Sequence, residues 1–314
     1  MSGIRICSIS SVYGNQKHYT EDKQAKATGI RHLYSLQQDK DAIDLGAAAA
    51  KIILNDFDQT QIISDNCALI FITQTPRYKL PSSAFLIAQA LNKDFSLVFD
   101  VNLGCSAFPS ALMIASSLLS SKSVDDVIVV IADTVHRISQ DNPAVSSIFS
   151  DVGSAIHMTR GTSDSKFDSG TDGSGHQVIH CQHDGHINMS GLDVYAFAKS
   201  KVPASIQKVL PQSPYANESD LQIPVFLHQA NKMINDAIEK SVKSKTKIDL
   251  SFPSTLGLYG NTAGSSIPIT MCHHYSDTPF REFIASGFGV GLHWISVHWI
   301  QISPIKLHHP IPFQ

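Results

Sequence analysis

The run Ser96-Leu-Val-Phe-Asp-Val-Asn-Leu-Gly-Cys105-Ser-Ala-Phe-Pro-Ser-Ala-Leu-Met-Ile-Ala-Ser-Ser-Leu-Leu119 decides the fold. It reads as a strand, a tight turn and a helix. The first segment is apolar and rich in β-branched and aromatic residues, Gly104 supplies a permissive backbone for the turn, and Phe108, Leu112, Ala115, Leu118 and Leu119 recur at helical spacing. Pro109 then falls in the first helical turn, where proline is tolerated. This places Cys105 at a helix N-terminus, where unpaired amides and the macrodipole favour a thiolate and are expected to lower its pKa from the free value of about 8.5. Taken alone, a cysteine beside a glycine reads first as a small buried residue. Residues further along reverse that reading.

Working outward, strands alternate with helices. Asp41 to Phe57 carries Leu45, Ala49, Ile52 and Ile53 on one face and is expected to be helical; Ala68 to Thr73 and Val127 to Ala132 are continuous apolar runs of strand length; Ser82 to Leu91 follows Pro81 as a helix. Gly14 to Lys26 is polar and reads as loop. Uninterrupted apolar strands between helices indicate an α/β layered fold with a sheet covered on both faces. Thr159 to Gly175 is rich in Gly, Ser and Asp, lacks apolar periodicity and reads as a junction between two halves. The second half restarts with a strand at 177–181 and helices at 190–210 and 230–242, with a short strand Val225-Phe-Leu between them. A glycine turn, a helix at 259–271 and two closing strands around 281–295 complete it. Gly104-Cys-Ser-Ala and Gly260-Asn-Thr-Ala both put small residues after a glycine at a helix start, as a duplicated unit would.

The 314 residues, 43% hydrophobic and 16% charged, describe a globular chain with a sizeable core. A net charge of -3 without a basic run interleaved with aromatics gives no reason to expect nucleic acid. Five cysteines, at 7, 67, 105, 181 and 272, are odd in number and contain no Cys-x-x-Cys, which indicates neither a disulfide framework nor a structural zinc site. A reducing cytoplasm fits. The N-terminus reads as a first strand rather than a signal peptide, and the uncharged stretch 101–121 is too polar for a membrane span, so no membrane partner is expected.

Two further stretches, Phe226-Leu-His228-Gln-Ala-Asn-Lys232 and Leu258-Tyr-Gly-Asn261-Thr-Ala-Gly-Ser-Ser-Ile-Pro268, follow the Cys105 motif in order. Together the three resemble the β-ketoacyl-acyl carrier protein synthase III group of the thiolase superfamily. Thr28-Gly-Ile-Arg31, Phe149-Ser-Asp-Val-Gly-Ser-Ala155, Asp172-Gly-Ser-Gly175, Met189-Ser-Gly191 and Gly287-Phe-Gly-Val-Gly-Leu-His-Trp294 extend the resemblance over nearly the whole chain. The resemblance implies the five-layered αβαβα thiolase fold with two pseudo-repeated halves, 1–160 carrying the cysteine and 161–314 carrying the histidine and asparagine. It also implies a homodimer as the usual form, though the superfamily includes heterodimers. No role is assigned to the tail beyond Trp294.

That likeness implies a catalytic set of Cys105, His228 and Asn261, with the backbone amides of Cys105 and Val290 as oxyanion donors. Cys105 would take an acyl group from a thioester; a malonyl thioester would then lose carbon dioxide, leaving an enolate that needs donors, supplied by a neutral His228 and the Asn261 amide. No cofactor is implied. The aromatic and Arg that commonly clamp coenzyme A in the family are missing from 21–27 and from Asp141-Asn-Pro-Ala-Val145, which favours an acyl carrier protein over acyl-CoA as donor. Lys232, Lys240, Lys243 and Lys245 are candidate docking charges for such an acidic carrier, although a solvated helix face explains them as simply. Leu80 stands where the family often has a Phe that reaches the partner's acyl tunnel, so a longer or bulkier chain is expected to fit. His176, His180, Cys181, His183 and His186 match no familiar metal spacing. Two other functions compete: an acyltransferase forming an ester or amide through the same acyl-cysteine, and a non-condensing partner subunit of a heterodimeric ketosynthase. Fatty-acid initiation and a secondary metabolite both fit as pathway.

Overall fold

In the computed structural model the described residues are 3–56, 63–139, 143–182, 185–211, 222–278 and 280–314. The chain opens with β1 (Gly3–Tyr13), β2 (Gln16–Tyr19), α1 (Asp22–Thr28), β3 (His32–Ser35), α2 (Ala42–Asn55), β4 (Cys67–Ile72) and α3 (Ser83–Leu91). It continues through β5 (Leu97–Val101), α4 (Ala107–Ser120), β6 (Asp126–Asp133), α5 (Val135–Ser139), α6 (Pro143–Ser146) and β7 (Val152–Gly161). After β8 (Ser163–Thr171), β9 (Ile179–His180) and β10 (Asn188–Met189) come α7 (Gly191–Val209), β11 (Ile223–Leu227), α8 (Lys232–Lys243), β12 (Leu250–Ser251) and α9 (Leu256–Tyr259). The last elements are α10 (Ser266–Tyr275), β13 (Glu282–Gly289), β14 (His293–Gln301), β15 (Lys306–Leu307) and β16 (Ile311–Pro312).

The two main sheets among the described residues run in the order β15-β1-β7-β6-β4-β5, with β16 also on β1, and β12-β11-β13-β14-β8; β9–β10 and β2–β3 form two small pairs apart from them. The parallel strands β4 and β6 are buried along their whole length, which is why they read as unbroken apolar runs. Helices α4 and α10 lie between the sheets, so Phe108, Leu112, Ile267 and Met271 share one core with Ile70, Val129, Phe226 and Phe283. Burial of each such side chain contributes about 1.5–3 kcal/mol. Helix α2 covers the outer face of the first sheet and α7 that of the second. The layering is αβαβα, the thiolase arrangement.

Local chemistry explains the boundaries. Asp41 caps α2 in a reciprocal capping box with Asp44. Asp100, from β5, accepts the amides of Ser83 and Ala84 at 2.6 and 2.7 Å, so α3 takes its cap from the neighbouring strand.

Several expectations need correction. The polar stretch 14–26 is not loop throughout: it holds β2 and the start of α1, and β2, exposed along its length, pairs antiparallel with the half-buried β3 across α1. The stretch 159–175 is not irregular: it includes the end of β7 in the first sheet and all of β8 in the second; β8 is an edge strand paired on one side to β14, half in solvent, and so carries no apolar periodicity. The repeat also sits three residues from where the glycines suggested. Gly104 and Ala263 each open a 3₁₀ turn with φ of +47° and +46°, followed directly by α4 and α10, so Gly104 matches Ala263 and not Gly260. The tail past Trp294 completes β14 and then lays β15 and β16 parallel to β1.

Candidate active site

Cys105 occupies the middle of the first 3₁₀ turn, just ahead of α4. Its counterpart in the second turn is Gly264, where a Cβ would stand 2.9 Å from that of Ala107 and 3.0 Å from the Gly104 carbonyl, so the two turns pack backbone to backbone. Gly289, at the end of β13, closes over the cysteine: a side chain there would approach Cys105 Cβ to 3.0 Å and Sγ to 3.4 Å. Val290 follows on the same cavity wall.

His228 stands immediately after β11, its amide tied to the Ser286 carbonyl at 2.9 Å, its side chain 3% exposed. Nδ1 lies 3.2 Å from Ser266 Oγ. That hydroxyl donates its proton to the Ala263 carbonyl at 2.9 Å and accepts from Thr262 Oγ1 at 3.3 Å, leaving a lone pair for an Nδ1–H of His228. Nε2 is then the free acceptor. Burial pushes His228 down to about 4, only partly offset by the Ala263 backbone, so the ring is neutral.

Asn261 is held on both main-chain sides, its amide bonded to the Ile148 carbonyl at 2.8 Å and its carbonyl to the Ser150 amide at 2.9 Å. Its side-chain oxygen accepts from the Ala263 amide at 3.0 Å and its nitrogen donates to the Ala230 carbonyl at 3.4 Å. This fixes the amide's orientation and leaves the second N–H for an acceptor in the cavity.

Cys105, His228 and Asn261 line one cavity, walled by Phe149, Ile187, Val194, Ile234 and Phe288. The expected lowering of the Cys105 pKa is overturned. Exclusion of water pushes the thiol up to about 12, and the Asp133 carboxylate adds to this, while the residue's own amide opposes it. Desolvation thus outweighs the helix terminus, and the resting cysteine is a thiol beside a neutral imidazole.

Sequence reasoning missed Ser266, Asp133 and Gln74. Asp133 ends β6, is itself pushed up to about 6 by burial, and gathers the Gln74 amide at 2.6 Å and Thr73 Oγ1 at 3.1 Å beneath Gly104. An acidic residue closing an apolar strand beside the nucleophile's turn was the available signal. His293 Nδ1 meets Ser106 Oγ at 2.8 Å and ties the 289–293 loop to the cysteine's turn.

The other expected site residues lie elsewhere. Leu80 is 87% exposed and does not line the cavity of its own chain. Lys232 and Lys243 are paired along α8, to Asp236 at 2.6 Å and to Glu239 at 2.7 Å, which offsets their charge; Lys240 and Lys245 are exposed beside them. His176, His180 and Cys181 border a neighbouring cavity that shares Gln74, Ile179 and Val290 with the first; His183 lies outside the described residues, as do Asp141 and Asn142. Among the described residues no three His, Cys, Asp or Glu side chains are placed to share a metal ion, and no helix is long and apolar enough to cross a membrane.

Comparison with known proteins gives consistent matches. The family model for 3-oxoacyl-[acyl-carrier-protein] synthase III matches residues 99–173, and that for the C-terminal part of the same enzymes matches 216–300. A β-ketoacyl-[acyl-carrier-protein] synthase III of Acaryochloris marina is 28% identical over 293 residues, covering 86% of each chain. The fold is shared with a 3-oxoacyl-(acyl-carrier protein) synthase of Burkholderia xenovorans at a TM-score of 0.86 and 22% identity, covering 99% of this chain and 97% of that one. It is shared also with the priming β-ketosynthase of a polyketide pathway at a TM-score of 0.81 and 20% identity, covering 96% and 97%.

Proposed function

Because this chain belongs to the 3-oxoacyl-acyl carrier protein synthase III family of the thiolase superfamily, we propose that it joins an acyl group held on Cys105 to a malonyl thioester with loss of carbon dioxide. The observation that carries this reading is the convergence of Cys105, His228 and Asn261 on one apolar cavity, with the Asn261 amide turned donor-first.

In the first half-reaction Cys105 Sγ attacks the acyl thioester carbonyl while His228 Nε2 takes its proton and returns it to the departing thiol. The transient oxyanion faces the backbone amides of Cys105 and Val290. In the second, the malonyl carboxylate leaves as carbon dioxide and its electron pair passes into the thioester as an enolate, so no base is needed. The donors are Asn261 Nδ2–H and a His228 ring carrying its proton on Nε2. Ser266 permits that tautomer by turning its hydroxyl to donate to Nδ1. The enolate carbon attacks the acyl-cysteine, the carbon–sulfur bond breaks, and a solvent proton restores the thiol.

The cavity wall of Ile, Val, Phe and Met side chains suits an apolar acyl chain. The acyl donor is a carrier protein, docked at α8 through Lys240 and Lys245 with Lys232 and Lys243 as partly neutralised neighbours. The enzyme is a homodimer of chains each built from halves 1–160 and 161–314. Strand β5 leaves an unpaired sheet edge beside Phe85 and Leu80, 53% and 87% exposed, and Leu80 enters the acyl cavity of the second copy.

The test is incubation with acyl-carrier donors of increasing chain length and a malonyl acceptor, followed by intact mass and product analysis. Acylation at Cys105, lost in Cys105→Ser and followed by a ketoacyl product, is the expected result. An ester or amide product in place of the ketoacyl thioester would replace condensation with simple acyl transfer, and no acylation from any donor would overturn both. Loading of acetyl alone would refute the role given to Leu80.

A further inference from the structure

A second thiol, imidazole and carboxylate come together at the opposite end of the first sheet, and condensation has no use for them. Asp133 serves the Cys105 site from one end of β6; Asp126 stands at the other, roughly 23 Å away at the rise of a strand. Beside it on β7 is His157, whose Nε2 meets Asp126 Oδ1 at 2.7 Å, the two residues being 4% and 7% exposed. Strand β1 supplies the thiol. Ile6 pairs with Met158 and Ser8 with His157, so Cys7 is an extra residue, a bulge in the ladder. Ile6 and Ile9 both point into the core between the sheets, which turns Cys7 and Ser8 together toward the outer face, where the Cys7 side chain lies against the His157 ring.

This arrangement costs the fold more than it returns as packing. Two ionisable groups are held buried within the sheet, and a pair of aliphatic residues there would be as stable or more so. The bulge removes a ladder position in a central strand to aim one cysteine at that pair. Cys7 is half-buried and open to small reagents, whereas Cys67 and Cys272 are fully buried. Burial alone would push His157 down, but Asp126 and Cys7 outweigh it and raise the imidazole to about 9, so the ring is an imidazolium at neutral pH.

The geometry points to Cys7 as a reactive thiol, with the His157 imidazolium as its counter-charge and Asp126 holding that ring, at a site that takes a low-molecular-weight disulfide. Cys7 gives its proton to solvent and the thiolate, facing the His157 imidazolium, attacks one sulfur of the disulfide. That sulfur–sulfur bond breaks as the mixed disulfide forms, and the leaving thiolate takes a proton from solvent. Cys7 is oxidised and one thiol equivalent of the reagent is reduced.

Cys181 provides an internal standard, being more exposed, with a thiol that among the described residues donates to the carbonyls of Gln182 and Gly185 at 3.4 and 3.2 Å. The full chain is incubated with glutathione disulfide at neutral pH, quenched in acid at intervals and mapped by peptide mass, which separates Cys7 from Cys105 and Cys181. Cys7 is expected to form the mixed disulfide roughly tenfold faster than Cys181 despite its lower exposure. His157→Gln should slow Cys7 by a similar factor and leave Cys181 unchanged, with an unaltered circular dichroism spectrum. The proposal is overturned if Cys181 reacts ahead of Cys7 in the unsubstituted chain, a comparison that needs no variant to fold. It is equally overturned if folded His157→Gln keeps the Cys7 rate.

Discussion

The Ser266 hydroxyl lies 3.2 Å from His228 Nδ1 and gives its single proton to the Ala263 carbonyl, so one side chain at the start of α10 sets which face of the imidazole can accept a proton. Ser266→Ala removes that partner without touching the cavity. Acylation and condensation should both slow, on the order of tenfold, as when an imidazole loses its orienting hydrogen bond. Ser266→Thr, which keeps the hydroxyl, should recover most of the rate in single-turnover measurements. Equal losses in the two variants would mean that Ser266 acts through packing alone.

The pH dependence of acylation follows from the two buried groups. His228, pushed down to about 4, stays neutral through the ordinary range, so the acylation rate should be flat across neutrality and fall only as pH approaches that value. With His228→Ala the thiol must ionise unaided. At a Cys105 pKa of about 12 the rate should then climb about tenfold per pH unit from 6 to 9. Stopped-flow acylation over this range distinguishes the two slopes; a flat profile in the variant would remove His228 from the proton's path.

Gly289 limits the room above the nucleophile. A methyl at this position meets Cys105 Cβ at 3.0 Å, and the loop must shift to relieve it. Gly289→Ala should lower kcat by on the order of 10², the cost of misplacing reacting atoms by about an ångström, and lower the unfolding midpoint as well, since Gly289 holds a φ of +158° that an L side chain rarely adopts. A variant of normal kcat would show that the loop already yields during turnover.

The His157–Asp126 pair makes stability depend on pH at the alkaline side. Because the folded histidine titrates near 9, above its unfolded value, its contribution is complete below about pH 6.5 and is lost as pH rises through 9. The loss is at most about 3 kcal/mol. Urea titrations at pH 6 and pH 9.5 should show a larger fall for the unsubstituted chain than for His157→Gln, and parallel falls would contradict the assignment.

If α8 receives an acidic carrier, Lys240→Glu combined with Lys245→Glu should raise KM for the acyl-carrier donor severalfold at low salt and leave kcat unchanged, with the difference fading as ionic strength rises. Lys232→Glu should do less, since Asp236 already offsets that charge. KM measured at two salt concentrations decides between docking and a solvated face.

What could be read in the sequence follows from what each residue must do alone. Strands β4 and β6 were legible because burial on both faces leaves only apolar choices; β8 was not, because an edge strand half in water is polar and resembles a junction. Cys105, His228 and Asn261 were legible through the motifs around them. Ser266 and Asp133 were not, because their importance lies in distances across the fold, and the Cys105 pKa was misjudged because proximity to a helix start is local whereas desolvation is a property of the assembled cavity. The repeat was misplaced because Ala263 adopts a conformation that sequence reasoning reserves for glycine.

The strands β15 and β16 lie parallel along β1, with Lys306 opposite Ser8 and Ile311 opposite Val12. Residues 306–312 emerge from the ribosome only after β8 to β14 have been made. Until then the outer edge of β1, a central strand of the finished sheet, stays unpaired and open to other chains. The first half can collapse early but cannot seal itself, so that edge of the sheet is closed only by residues made long after it, and a truncation at 304 should show first as aggregation during expression rather than as lost chemistry at Cys105.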